Sequence, residues 1–201
     1  MKLIRSFFTL YAIFCFAGMR SQNIISSNTG IQTCIKDHQC FSINNASYLF
    51  YDESKSSFYL KLDFSKFKVG EDSIDEWLND LTDTYLYFKA PMDPNNFKDL
   101  ANHNHKTIKL NGQMFLNGIW HSQSTELSLY MTENGLLNQN NNQNNYDLYK
   151  VNFTISFLPK DFKVDKKPHH LKKTIFIGVT LGRINQLQPG MQKLLGEAYD
   201  H

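Results

Sequence analysis

The side chains able to do chemistry are scattered through this chain rather than gathered. His103 and His105 stand two apart. That spacing puts both imidazoles on one side of a strand and could begin a metal site, but they lie in an Asn-rich turn with no carboxylate pair nearby. His169 and His170 are adjacent in the basic run KVDKKPHHLKK (163–173), which reads as a solvated face. His121 follows Trp120 near a strand end, with no Ser or Cys nucleophile placed beside it by a local motif. Cys34 and Cys40 with His38 lack a fourth zinc ligand. Asp72, Asp75, Glu76 and Asp80 crowd the front of a helical pattern, where acids complement the helix dipole. The chain carries no glycine-rich phosphate loop, no G-x-S-x-G and no H-E-x-x-H. The expectation is a protein that is not an enzyme, with no catalytic residues, no metal and no cofactor.

The elements that would have to position a site are much clearer. In YKVNFTISFLPKDFKV (149–164), Val151, Phe153, Ile155 and Phe157 alternate with Asn152, Thr154 and Ser156. A period of two puts the four apolar side chains on one face of a strand. SFYLKLDFSKF (57–67) does the same with Phe58, Leu60, Leu62 and Phe64. In KTIKLNGQMFLNGIWHSQSTELSLYM (106–131), Ile108 and Leu110 share a face, as do Met114 and Leu116, and Leu127 and Leu129 repeat the alternation. Gly112 and Gly118, each after an asparagine, fall where a strand bends, bulges or turns. FSINNASYLFYDESKS (41–56) and TDTYLYFKAP (82–91) read as further strands, and TIFIGVTLGRINQL (174–187) as another through Ile175, Ile177, Val179 and Leu181. The period changes once. In EDSIDEWLNDL (71–81), Ile74, Trp77, Leu78 and Leu81 make one helix face of about three turns, opened by a Ser73–Glu76 capping box. Residues 93–104 read as a loop or a turn of helix, and Met191, Leu194, Leu195 and Ala198 as a short closing helix or a frayed end.

Residues 1–21 read as a secretory signal peptide. Lys2 and Arg5 precede an eleven-residue apolar run, FFTLYAIFCFA, too short for the ~20 residues of a transmembrane helix. The mature chain is expected to start between Met19 and Asn23 and to form one domain over 22–201 with no integral membrane span. Losing Lys2, Arg5 and Arg20 takes the basic count from 21 to 18 against 19 acidic residues, so the net charge moves from +2 to −1. No nucleic-acid partner is expected from that balance. Cys34 and Cys40 remain, and in an extended strand six residues span ~20 Å, whereas a disulfide needs Cα atoms within ~7 Å. They pair only if residues 35–39 turn back, and pairing stays open. Residues 22–30 read as polar and loose. The Asn/Gln run over 134–147 reads as a solvated hairpin tip.

Sixteen Phe and ten Tyr in a chain with this alternation point to an all-β fold with one short helix. DSIDEWLND (72–80), then a strand, then the two long stretches quoted above, resembles the YceI-like family over about residues 56–184. The family's helix start matches at Asp75, Glu76 and Leu78, its Gly-strand-Gly pattern at Gly112, Leu116 and Gly118, and its late strand at Phe153, Phe157, Asp161 and Phe162. The resemblance implies an antiparallel, lipocalin-like β-barrel with a helix, exported to the periplasm or secreted, that holds a long isoprenoid or related lipid in its interior. The family's opening hairpin has no counterpart before Phe58, so the resemblance implies an N-terminally abbreviated barrel whose closure stays open.

The partner expected on both grounds is a hydrophobic small molecule. Its walls would be Phe58, Leu60, Leu62, Phe64, Met114, Leu116, Val151, Phe153, Ile155 and Phe157, with Asn111, Asn117 or His121 at the mouth. The alternative is a secreted structural or protein-interaction module with a filled core and no ligand, because tunnel walls and a packed core share one alternation. Oligomeric state is not written in the sequence.

Overall fold

The computed structural model describes residues 27–31, 41–68, 70–81, 84–100, 105–131, 149–164, 168, 174–188, 190–196 and 199. Residues 1–21, read above as a signal peptide, the cysteines Cys34 and Cys40, His38, His103, His169, His170, Ala198 and the Asn/Gln run lie outside them. The strands are β1 (Ser27–Ile31), β2 (Phe41–Asp52), β3 (Ser57–Asp63), β4 (Tyr85–Pro91), β5 (His105–Leu116), β6 (Ile119–Met131), β7 (Tyr149–Phe157) and β8 (Ile175–Gln186). Helix α1 (Asp72–Asn79) follows β3, and α2 (Asn95–Lys98) follows β4.

From β2 to β8 the chain is a meander of seven strands, each antiparallel to the last. An odd number of alternating strands leaves the first and last running the same way. Closure therefore needs a parallel seam, and Leu49–Tyr51 indeed pair parallel with Ile184–Gln186. At the other end of that seam β1 wedges in, antiparallel to both β2 and β8, with Thr29 opposite Ile43 on one side and Val179 on the other. The barrel is closed. That resolves the closure left open by the sequence: β1 and β2 supply the hairpin missing before Phe58. It also corrects the reading of 22–30 as loose, because Ser27–Ile31 is a strand.

Alternation does the rest. Leu60, Leu62, Leu86, Phe88, Met114, Leu127, Val151, Ile155 and Ile177 belong to one contiguous buried core inside the barrel. Outward positions carry smaller apolar clusters. Phe50 and Tyr59 pack under Leu187 and Leu195 of the C-terminal segment, and Tyr87 and Phe115 stack beside Trp120.

Both singled-out glycines have structural work. Asn117 and Gly118 sit at φ 52° and 75° between the paired residues Leu116 and Ile119, the conformation of a two-residue hairpin turn that Asn-Gly favours. At Gly112 a Cβ would lie 2.1 Å from the Lys89 carbonyl oxygen and 2.7 Å from the Ala90 Cβ. No side chain fits there. The β4–β5 ladder runs from Tyr87–Phe115 to Lys89–Gln113 and stops one residue short of it.

Three local readings are corrected. Helix α1 is eight residues rather than three turns, and its N-cap is Glu71. Ser73 Oγ donates to Glu71 Oε1 at 2.8 Å instead of capping the helix, so the Ser73–Glu76 box does not form; Asp75 accepts from the Gly70 N–H at 3.2 Å. Leu181 does not face the core. It sits at φ 50° and 54% exposed, where the β7–β8 register slips between Val151 and Phe153. Its N–H donates to Asn152 Oδ1 at 2.6 Å, and inward alternation resumes at Gly182, opposite Val151, and continues at Ile184.

Candidate functional site

All ten candidate wall residues lie on the inner face, none more than 6% exposed. They do not surround one open space. β3 and β7 stand on opposite sides of the barrel, yet Phe58 and Phe153 meet edge to face, with ring centroids 5.9 Å apart at 90°. Side chains from facing walls thus touch across the middle, as they do in small barrels filled by their own interior.

The two ends are covered differently. Beyond the ends of β2 and β4, α2 brings Phe97 to within 4.9 Å of the Tyr51 ring and 5.0 Å of the Tyr149 ring. The Tyr51 hydroxyl, fully buried, donates to the Met92 carbonyl at 3.0 Å. Burial pushes that phenol's pKa up to about 12.

At the opposite end α1 lies over the barrel with Ile74, Trp77 and Leu78 buried, as expected from the sequence, while Leu81, also buried, falls just past the helix end. Between that face and the mouth is a narrow apolar slot of about 10 Å³. Phe64, Leu116 and Phe157 form much of its far wall, and Val164, Ile175 and Ile177 complete it. Only these first three of the ten candidate residues line the slot. Phe58, Leu60, Leu62, Met114, Val151, Phe153 and Ile155 are packed deeper in the core. The signal for the helical half was present in the i, i+3, i+4, i+7 spacing. Ile175 and Ile177 had the alternation but not the placement, and Val164 lies beyond any periodic run.

Polarity in the slot is confined to one feature. Trp77 is 6% exposed, and its indole Nε1–H is buried with no hydrogen-bond acceptor among the described residues. A buried donor left unmatched costs ~1–3 kcal/mol.

The three polar residues expected at a mouth are not brought together. Asn117 Nδ2 donates to the Phe162 carbonyl at 2.9 Å, tying the β5–β6 turn to the 3-10 turn Pro159–Phe162. Asn111 accepts a hydrogen bond from Ser124 Oγ and lines a separate outer groove. The exposed His121 ring rests 5.1 Å from Phe162. His105 stacks on Tyr130 with centroids 4.6 Å apart. Among the described residues no three His, Cys, Asp or Glu side chains are grouped as metal ligands, and no helix is long and apolar enough to cross a membrane.

The architecture is a closed, lipocalin-like antiparallel β-barrel with a short helix over one end, the fold implied by the sequence resemblance. Among solved structures, the chain is similar to a polyisoprenoid-binding domain from Saccharophagus degradans implicated in plant cell wall breakdown, with a TM-score of 0.51 and 10% identity over 76% of this chain and 90% of that one. BcnA of Burkholderia cenocepacia also matches, with a TM-score of 0.49 and 11% identity over 76% of this chain and 92% of that one. No family model and no curated protein matches the sequence.

Proposed function

We propose that this protein is an exported, non-catalytic binder of a long-chain apolar molecule, an isoprenoid or related lipid. The observation that carries this reading is the slot beneath α1, walled by apolar side chains, where the only polar side-chain atom on a lining residue is the buried, unmatched indole nitrogen of Trp77. A chain entering it gains ~0.8 kcal/mol for each methylene removed from water, and needs no charged partner in the wall. A carbonyl or ether oxygen on the ligand would accept from Trp77. The slot as it stands accommodates about one water, so binding requires α1 to lift. The similarity in fold to a polyisoprenoid-binding domain supports the same reading.

Organic extraction of the purified protein followed by mass spectrometry should release a long-chain lipid. A fluorescent prenyl or fatty-acyl probe should bind saturably and compete with the extract. No extracted lipid together with no saturable binding would overturn the proposal. It would leave the secreted interaction module with a filled core, the reading that the Phe58–Phe153 contact favours.

Export rests on residues 1–21. N-terminal sequencing of the chain recovered from outside the cytoplasm should begin between Met19 and Asn23, and an intact Met1 there would sink it.

A further inference from the structure

A second concavity, unrelated to the slot, crosses the outside of the barrel. Outward positions on four adjacent strands floor it: Ser57 and Tyr59 of β3, Lys89 and Pro91 of β4, Asn111 and Gln113 of β5, Ser122 and Ser124 of β6. Lys55 and Tyr199 rise along one side. Its volume is about 810 Å³, within the range of small-ligand sites. The β4–β5 ladder ends beside it at Lys89–Gln113, where Gly112 lies against the β4 backbone.

Its chemistry is one-sided. The lining holds two lysines and no aspartate or glutamate. Among the described residues neither lysine has a carboxylate within ion-pair distance; the ion pairs found are Lys66–Asp63 and Lys106–Asp99. Lys55 Nζ donates to the Tyr199 carbonyl at 3.3 Å and lies 3.5 Å from the Tyr199 ring centre, and Lys89 Nζ lies 4.7 Å from that of Trp120. Burial, and then the charge of Lys55, push the Lys89 pKa down. An anion between the two would relieve that repulsion.

The acid bonded to the lining residues Lys55 and Tyr199 is already committed. Asp52 is 3% exposed and accepts from the Ser54 hydroxyl at 2.6 Å, the Lys55 N–H at 3.2 Å and the Tyr199 hydroxyl at 2.9 Å. Ser57, Asn111, Gln113, Ser122, Gln123 and Ser124 complete the lining with uncharged hydroxyl and amide groups, of which Ser57 already donates to the Lys55 carbonyl, Ser124 to Asn111 and Gln123 to the Ser124 carbonyl. Such groups both donate and accept, which suits alcohols. Two cations next to a bank of neutral donors and acceptors suit a molecule with an acid group among many hydroxyls.

We infer that this groove binds an acidic saccharide, its carboxylate between Lys55 and Lys89 and its hydroxyls against the serine and amide side chains of β5 and β6. The test is calorimetric titration of the full-length protein with trigalacturonate, and with maltotriose as the neutral trimer. The acidic trimer should bind, and more weakly as salt rises, because these charges face solvent. The neutral trimer should bind at least about tenfold more weakly. Lys55→Met and Lys89→Met should each weaken the acidic trimer about tenfold, with unchanged thermal melting, while Lys160→Met on the Pro159–Phe162 turn should leave binding as it was. No binding by the parent, equal binding of both trimers, or lysine variants that melt and bind like the parent would overturn the inference. Should either methionine variant melt early, the salt dependence and the acidic-to-neutral ratio in the parent still decide it.

Discussion

Trp77→Ala is expected to lower stability by ~3–5 kcal/mol, the usual cost of deleting a buried aromatic side chain, whereas Trp77→Phe should stay within about 1 kcal/mol of the parent. Trp77, Ile74 and Leu78 are the buried residues of an eight-residue helix. A two-turn helix is marginal alone, so α1 stays in place chiefly through the apolar face it presents to the barrel. Removing the indole takes the largest part of that face. Phenylalanine keeps most of the apolar area and discards the Nε1–H that finds no acceptor among the described residues. The gain from losing an unmatched donor then offsets the smaller ring. Urea unfolding of both variants measures this. A loss below about 1 kcal/mol for alanine would mean that the helix face is not docked. A phenylalanine variant as unstable as the alanine one would mean that the indole nitrogen has a partner.

How far this could be read from sequence depends on the element. The period-two runs of β3 and β7 were legible because each inward residue is apolar and each outward neighbour polar or amphipathic, and all eight predicted inward residues are buried. The α1 face was legible for the same reason at a period of 3.6. β1 was not, since SNTGI has no alternation and owes its place to the seam between β2 and β8. Leu181 was misplaced because a bulge adds one residue to one strand without marking it in the sequence. The Ser73–Glu76 spacing was real, but the helix starts two residues too early for Ser73 to cap it.

The candidate site was legible only in part, for a geometric reason. Alternation tells which side of a strand a residue occupies, not how far the opposite wall is. Phe58 and Phe153 were assigned correctly to one interior, but their contact across the barrel depends on its diameter and shear. The polar groove was invisible for a related reason. Its residues are outward positions on four strands, and nothing in any one strand says that Lys89 will neighbour Gln113 and Lys55.

Phe153→Trp is expected to destabilise the protein by ~1–3 kcal/mol through overpacking, and Phe153→Ala by ~3–5 kcal/mol through the cavity it leaves. Phe153 is 4% exposed and already meets Phe58 edge on from the opposite wall. An indole there has to displace that ring or bend the strand. Neither change should alter probe binding beneath α1, because Phe153 is not among the residues lining that slot. Phe157→Trp should show the reverse emphasis: Phe157 is in the slot wall and meets Phe162 edge to face at 5.8 Å, so a larger ring there should weaken the prenyl or fatty-acyl probe. Thermal melting and probe titration on all three variants separate the possibilities. If Phe153→Trp melts like the parent but no longer binds the probe, the ligand runs through the middle of the barrel and the Phe58–Phe153 pair opens to admit it. If it melts early and binds as before, the chain is held at the helix-covered end and the centre of the barrel is core.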